Sequence, residues 1–158
     1  MQIKHLLLLP LFVLLITACS DDDSHKPDVY VSQGVAIDGY DPVAYFTLAE
    51  ATPGKESIQA SHNGITYQFS TEEHRQLFTS QPEKYLPAYG GWCAYAVAEN
   101  SFKMEPDPTN WQIQDDRLLL FYADFWTSLQ GGLKAEWNTA PTDYEQKANY
   151  NWADMVAE

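Results

Sequence analysis

The sequence predicts an α+β fold, in which short helices pack on a small antiparallel sheet. Two turn-forming pairs, Asn63-Gly64 and Asp115-Asp116, each stand between two strand-like segments and predict hairpins. A capping pattern that begins at Ser70 opens a segment with apolar residues at helical spacing and predicts a helix. Because hairpins pair neighbouring segments of the chain, the strands are expected to be antiparallel.

The first predicted hairpin joins residues 58–62 to residues 65–69. Its connecting Asn-Gly dipeptide is a strong hairpin signal, because both turn positions take a positive φ. In the second strand Ile65, Tyr67 and Phe69 alternate with polar residues, which predicts one buried face and one open face.

The helix that follows is predicted over residues 71–79. Ser70 is expected to cap it, and Glu73 to reach back and complete a capping box. His74 lies on the helix face that carries two apolar residues, so its imidazole is expected to point inward.

Further elements are predicted towards the C terminus: a short helix beginning at Pro82, a hairpin joining 111–113 to 118–122, and helices over 123–129 and 143–156. Proline suits the first helical turn because the N–H that it lacks has no partner there. Gly131-Gly132 would cost about 1 kcal/mol per residue within a helix, which predicts a break between the last two helices.

The first 18 residues resemble the signal peptide of a bacterial lipoprotein. The apolar run over 6–16 is shorter than the ~20 residues that a membrane span needs, and it has the length of a signal-peptide core. Residues 15–18 read Leu-Ile-Thr-Ala directly before Cys19, which resembles a lipobox. We therefore expect residues 1–18 to be removed and Cys19 to carry acyl chains (diacylglycerol and palmitate). An ordinary secretory signal is the alternative.

The rest of the chain divides into a short tether and one domain. Residues 20–27 are polar and acidic, and we expect residues 19–33 to form a flexible tether that carries the lipid. Residues 34–158 have the size of a single domain. Ser20 resembles an outer-membrane sorting signal, and the acidic run 21–23 resembles a surface-export signal. We expect a lipid-anchored protein of the bacterial cell envelope, at the outer membrane, on its periplasmic or its surface face.

The charge of the chain limits its partners. It has 22 Asp+Glu against 9 Lys+Arg and a formal net charge of −13. This excess argues against nucleic acid and against electrostatic docking on anionic lipid. The expected partners are the membrane, through the lipid anchor, and a protein that the sequence does not identify. No nucleophile elbow, phosphate-binding glycine loop or His-Glu-x-x-His motif is found, so we expect the protein not to be an enzyme.

Four motifs, at residues 39–46, 62–70, 82–86 and 89–94, together resemble the YHS domain in its periplasmic branch. The resemblance runs from about Gly34 to the C terminus and implies a YHS-like α+β fold. Proteins of this branch are mostly of unassigned function.

The resemblance also implies a candidate metal site. Several YHS domains belong to copper and heavy-metal handling proteins and carry cysteines at three motif positions, which match Ala44, Ser70 and His74 here. Copper(I) and zinc need several thiolate, thioether or imidazole ligands. If Cys93 and His74 converge, they are expected to hold a soft metal, copper rather than zinc, together with Met104 or water.

The remaining polar candidates have simpler interpretations. With Cys19 lipidated, Cys93 is alone, so no intramolecular disulfide is predicted; such a thiol is usually buried and inert. We expect turn roles or solvation for the other polar residues considered: Asp38, Asp41, Asp107, the Asp115-Asp116 pair and His62, with Lys103 in a surface ion pair.

Three hypotheses for function remain open. The first is a non-enzymatic, lipid-anchored binding module of the envelope, with its ligand near residues 89–95 and the His74 helix and with copper as the specific candidate. The second is a protein–protein interaction module without a small ligand, which an exposed aromatic patch would support. The third is a redox protein that uses Cys93 as a low-pKa thiolate.

Overall fold

The computed structural model describes residues 28–124 and 129–157. It shows the predicted α+β class, with short helices and antiparallel strand pairs. The strands differ from the expected arrangement, since they form three separate two-stranded sheets and not one sheet. One physical reason lies at Leu118 and Leu120, whose backbones form isolated parallel bridges with Pro87 and Cys93. These irregular segments therefore cover the edge of the strand that contains Leu118 and Leu120. Another hairpin would have to pair with that edge to form one larger sheet.

The elements are β1 (Val31–Ser32), β2 (Val35–Ala36), α1 (Ala44–Thr47), β3 (Lys55–His62), β4 (Ile65–Phe69), α2 (Glu72–Ser80), α3 (Pro82–Tyr85), α4 (Ala94–Asn100), β5 (Asp107–Gln114), β6 (Arg117–Phe121), α5 (Gly132–Trp137) and α6 (Pro141–Met155). Short 3-10 helices cover Ile37–Gly39 and Ala88–Gly91.

Both predicted hairpins are confirmed. β3 pairs with β4 across Asn63 and Gly64, whose φ angles are 50° and 79°. β5 pairs with β6 across Asp115 and Asp116, whose φ angles are 49° and 59°. Two consecutive positive φ angles are what a two-residue turn between twisted strands requires, so local sequence was sufficient to place both turns.

The predicted cap of α2 was wrong by one residue. Thr71 is the cap, and its Oγ1 accepts a hydrogen bond from the backbone N–H of His74 at 3.1 Å. Ser70 does not cap the helix because its hydroxyl donates instead to Oδ2 of Asp41, at 2.6 Å. A charged acceptor makes the stronger hydrogen bond and so determines the position of Ser70.

Two clusters of buried residues form the core, and β6 contributes to both. Leu119 and Phe121 belong to one cluster, which we call core A and which includes Cys93 and Trp137. Leu118 and Leu120 belong to the other, which we call core B and which also includes Tyr45, Phe69 and Phe78. Since side chains alternate along a strand, β6 has one face in each core.

The folded chain begins before residue 34, where the domain was expected to start. Tyr30 is 7% exposed and belongs to core A. Its N–H donates to the carbonyl of Gly90 at 2.9 Å, and its ring contacts that of Trp92 edge to face, with centroids 5.1 Å apart. Part of the predicted tether is therefore packed on the domain.

Some predictions fall outside the described residues. The signal peptide, Cys19 and the tether up to residue 27 lie there, as do residues 125–128 of the helix predicted over 123–129. Within the part of the chain that the structure describes, no helix has the length and apolar character needed to cross a bilayer.

Candidate functional site

Cys93 lies at the beginning of α4 with its side chain wholly buried in core A. Burial raises the pKa of its thiol, because the neutral form is favoured where water is excluded. The backbone N–H of Cys93 donates to the carbonyl of Met104 at 2.9 Å, so these two predicted ligands are neighbours. The environment is that of a small hydrophobic residue in a packed interior.

His74 lies elsewhere, among polar groups of α1 and the end of β4. Its Nδ1 is 2.6 Å from Oδ2 of Asp41, and its Nε2 is 3.3 Å from Oγ1 of Thr47. Both ring nitrogens are therefore in hydrogen bonds, whereas a metal ligand needs one of them free. Neither Cys93 nor Met104 is among the described contacts of His74, and the described residues contain no group of three or more His, Cys, Asp or Glu suited to a metal ion.

Asp41 is the centre of a buried hydrogen-bond network. The residue is fully buried, and Oδ1 accepts from the N–H groups of Val43 and Ala44, at 2.9 and 3.3 Å. Its Oδ2 accepts from the N–H and the hydroxyl of Ser70, at 2.8 and 2.6 Å, and contacts His74. The bond to Val43 is the expected local turn bond, while the bonds to Ser70 and His74 were not foreseen.

The network has the order carboxylate, imidazole, hydroxyl that hydrolases use in proton transfer. Thr47 is exposed, but its hydroxyl donates to the carbonyl of Val43 at 3.0 Å, one turn earlier in α1. The hydroxyl hydrogen is thus directed to the backbone, so the Thr47 oxygen faces Nε2 of His74 as an acceptor and not as a hydroxyl that the imidazole could deprotonate. The arrangement fits a structural connection between α1 and α2 better than an activated nucleophile.

A cleft of about 320 Å³ opens at the junction of the two cores. Three aromatic residues line it: Tyr67 from β4, Tyr89 from the second 3-10 helix and Trp152 from α6. The other lining residues are aliphatic or small except for one carboxylate, and they are Val29, Leu86, Pro87, Gly90 and Glu83. Its size is typical of small-molecule sites, and its wall combines aromatic rings with polar surface.

Backbone strain is present at Tyr89, one of the residues that line this cleft. Tyr89 has φ 54° and ψ 36°, the left-handed region that is costly for residues other than glycine. Its hydroxyl donates to Oδ1 of Asn149 at 3.1 Å, and its ring lies 5.0 Å from the guanidinium of Arg117. Contacts with α6 and β6 therefore hold the ring in place despite the strained backbone.

The next residue, Gly90, lies directly under the N-terminal segment. A Cβ built there would be 1.8 Å from the carbonyl oxygen of Asp28, so only glycine fits. The close approach positions Val29 in the wall of the cleft. The sequence placed a ligand near residues 89–95 and the His74 helix; the cleft includes Tyr89 and Gly90 but has no lining residue from α2.

Trp152 is positioned by its neighbour on α6. The Nδ2 of Asn151 donates to the carbonyls of Val97 and Ala98, each at 2.9 Å, near the end of α4. Carbonyls in the last turn of a helix need partners outside it, and the carbonyl of Val97 also accepts from the N–H of Ser101 at 3.3 Å, so the bonds from Asn151 dock α6 on the end of α4. The Trp152 ring then meets the Tyr89 ring edge to face, with centroids 6.2 Å apart.

The charge at the cleft comes from Glu83, near the beginning of α3. Its Oε1 lies 3.1 Å from Nε2 of His62, and its side chain is 78% exposed. The pKa of the Tyr67 phenol is raised to about 12, first by burial and then by the nearby carboxylate of Glu83. Tyr67 thus remains a neutral hydrogen-bond donor throughout the physiological pH range.

Comparison of the chain with family models, with curated proteins and with solved structures found no match. The resemblance to the YHS domain, which rests on the four motifs, stays a prediction.

Proposed function

We propose that this protein is a non-enzymatic binding module of the bacterial cell envelope, anchored to the outer membrane by lipid on Cys19. In this proposal a small molecule occupies the cleft between Tyr67, Tyr89 and Trp152. The observation that carries the proposal is the cleft itself, an aromatic-lined cavity with one carboxylate at the point where the two cores meet.

The left-handed backbone of Tyr89 determines where its ring lies. This conformation costs a non-glycine residue about 1–3 kcal/mol, so the surrounding contacts must hold it. Here the cost is offset by the contacts of Tyr89 with Asn149 and Arg117. The strained conformation places an aromatic ring in the wall of the cleft.

The geometry favours a small organic ligand over copper. The Cys93 thiol is buried and its raised pKa disfavours the thiolate that a soft metal binds. Both nitrogens of His74 are engaged with Asp41 and Thr47. The same buried thiol disfavours a redox role for Cys93, because thiol exchange needs an accessible thiolate.

The anchor can be tested by metabolic labelling. Cells that express the full chain are given an alkyne analogue of palmitate, and label is measured on the purified protein. We expect label on the parent and none on Cys19→Ser, with Cys93→Ser as the matched control that keeps its label. A parent without label would contradict the lipid anchor.

The cleft can be tested with the full chain purified in detergent and a panel of small soluble molecules that includes neutral, cationic and anionic aromatic and aliphatic compounds. We expect at least one compound to shift the NMR signal of the Trp152 indole N–H, and Trp152→Leu to abolish its binding. Tyr150→Leu is the matched control, since Tyr150 lies on the same helix with 77% of its surface exposed. Binders that respond equally to both variants, or no binders, would contradict the proposal.

A further inference from the structure

We infer that the ligand of the cleft is a small organic ammonium ion, whose positive charge lies between the aromatic walls and the carboxylate of Glu83. This inference rests on the proposed function of the cleft and assigns its chemical class of ligand. The observations that carry it are the charge of the lining, the nature of the walls and the pairing of the cations nearby.

Among the lining residues that the structure describes, Glu83 is the one with a charged side chain. An anionic ligand would meet this carboxylate, and no cation is among the described lining residues to offset the repulsion. A neutral ligand would gain no electrostatic attraction from Glu83, whose side chain is 78% exposed and keeps its contact with His62. An ammonium ion supplies the opposite charge.

The aromatic walls favour an organic cation over a metal ion. Faces of Trp and Tyr rings attract cations, and quaternary ammonium groups are commonly bound by two or three such rings. Calcium, in contrast, needs six to eight oxygen ligands, and one carboxylate with two phenols does not supply them. The cleft thus combines the aromatic rings of Tyr67, Tyr89 and Trp152 with the single negative charge of Glu83.

Two of these rings already have a cation of this chain over them. The guanidinium of Arg117 lies 5.0 Å from the centre of the Tyr89 ring, and Nζ of Lys103 lies 5.8 Å from a ring centre of Trp152. Both cations have carboxylate partners, since Arg117 contacts Glu145 at 3.0 Å and Lys103 contacts Asp28 at 3.1 Å. Their charge is thus compensated outside the cleft.

The net charge of the whole protein also favours a cationic ligand. A formal net charge of −13 produces a negative potential that attracts cations and raises their rate of association. The volume of about 320 Å³ lies at the lower end of the range for ligand sites, which suits a small amine better than a peptide.

The test uses choline and its neutral isostere 3,3-dimethyl-1-butanol, in which carbon replaces the charged nitrogen. Both are titrated by calorimetry into the full chain in detergent. We expect choline to bind at least tenfold more tightly, a difference of about 1.4 kcal/mol. Glu83→Gln should weaken choline binding about tenfold and remove this preference.

Glu56→Gln is the matched control, because it makes the same change in net charge at an exposed position of β3 outside the cleft. It should leave choline binding within twofold of the parent. Trp152→Leu should weaken choline binding, and Tyr150→Leu should not. Thermal unfolding of each variant shows whether it remains folded.

Equal binding of the two probes, or choline binding that Glu83→Gln does not change, overturns the ammonium inference. If the neutral isostere binds tightly and Trp152→Leu abolishes its binding, the cleft is a ligand site and only the assigned class fails. If choline does not bind, the inference also fails, and the panel of small molecules decides separately whether the cleft binds anything.

Discussion

The imidazole Nδ1 of His74 lies 2.6 Å from Oδ2 of Asp41, and this contact joins residues that are 33 positions apart in the chain. The carboxylate is fully buried, so it depends on its hydrogen-bond donors for the solvation that water would otherwise supply. The pair therefore connects the segment before α1 to α2 and makes both dependent on one side chain.

Asp41→Asn should destabilise the protein by about 2–4 kcal/mol, because an amide presents N–H groups where the native carboxylate accepts from several donors. Urea unfolding of the full chain in detergent measures the loss. Asp115→Asn is the control. Asp115 is exposed at a hairpin tip and has a positive φ, which asparagine also tolerates. A loss below about 1 kcal/mol for Asp41→Asn would show that the network contributes little.

Gly90→Ala should destabilise the protein more than Gly64→Ala. Both glycines have positive φ, 60° and 79°, so each substitution incurs the left-handed strain of about 1–2 kcal/mol. Only at Gly90 does the added Cβ meet the backbone of Asp28; Gly64 has open space around it. We expect a further loss of about 1–3 kcal/mol at Gly90. Equal losses in urea unfolding would mean that residue 28 moves aside at no cost.

Cys93 should react slowly with iodoacetamide in the native protein and rapidly in urea. Its side chain is wholly buried, so the reagent cannot reach the sulfur. The pKa of its thiol is raised, so little of the reactive thiolate is present. Mass spectrometry of the alkylated chain measures the two rates. With lipid on Cys19, one thiol per chain should react in urea. Rapid native alkylation would revive the redox hypothesis.

Stability should fall as the pH rises from about 10 towards 12, in part through Tyr67. Its pKa is 10.0 unfolded and about 12 folded. The stabilisation is complete below pH 10 and is lost as the pH rises through the folded pKa, because the unfolded chain releases its proton first. Tyr67→Phe should flatten the slope of unfolding free energy against pH, while Tyr150→Phe should not. Identical slopes for the two variants would refute this role.

The sequence was informative where structure depends on near neighbours. The Asn63-Gly64 and Asp115-Asp116 turns, the proline at the beginning of α3 and the apolar stripe of α6 are local signals, and all of these elements were found. α4 was missed because Ala94, Ala96, Val97 and Ala98 are all buried, so this helix lacks the polar face by which helices are recognised.

The candidate site was less predictable because it depends on contacts between distant segments. The cleft combines Val29, Tyr67, Glu83, Tyr89 and Trp152, and nothing in their spacing brings them together. The motif at residues 89–94 includes Tyr89 and Gly90, which line the cleft, and whether a ligand binds there stays a prediction. Its Cys93 was associated with His74 by residue type alone, and residue type does not determine distance.

Strand β6, which contributes to both cores, affects how the domain unfolds. Because its side chains enter core A on one face and core B on the other, loss of that strand would expose both cores at once. Neither half would then remain as a stable intermediate, and the domain would melt in a single cooperative transition. Backbone amides of β6 would exchange hydrogen with solvent only through global unfolding, so their exchange rates would be among the slowest in the domain.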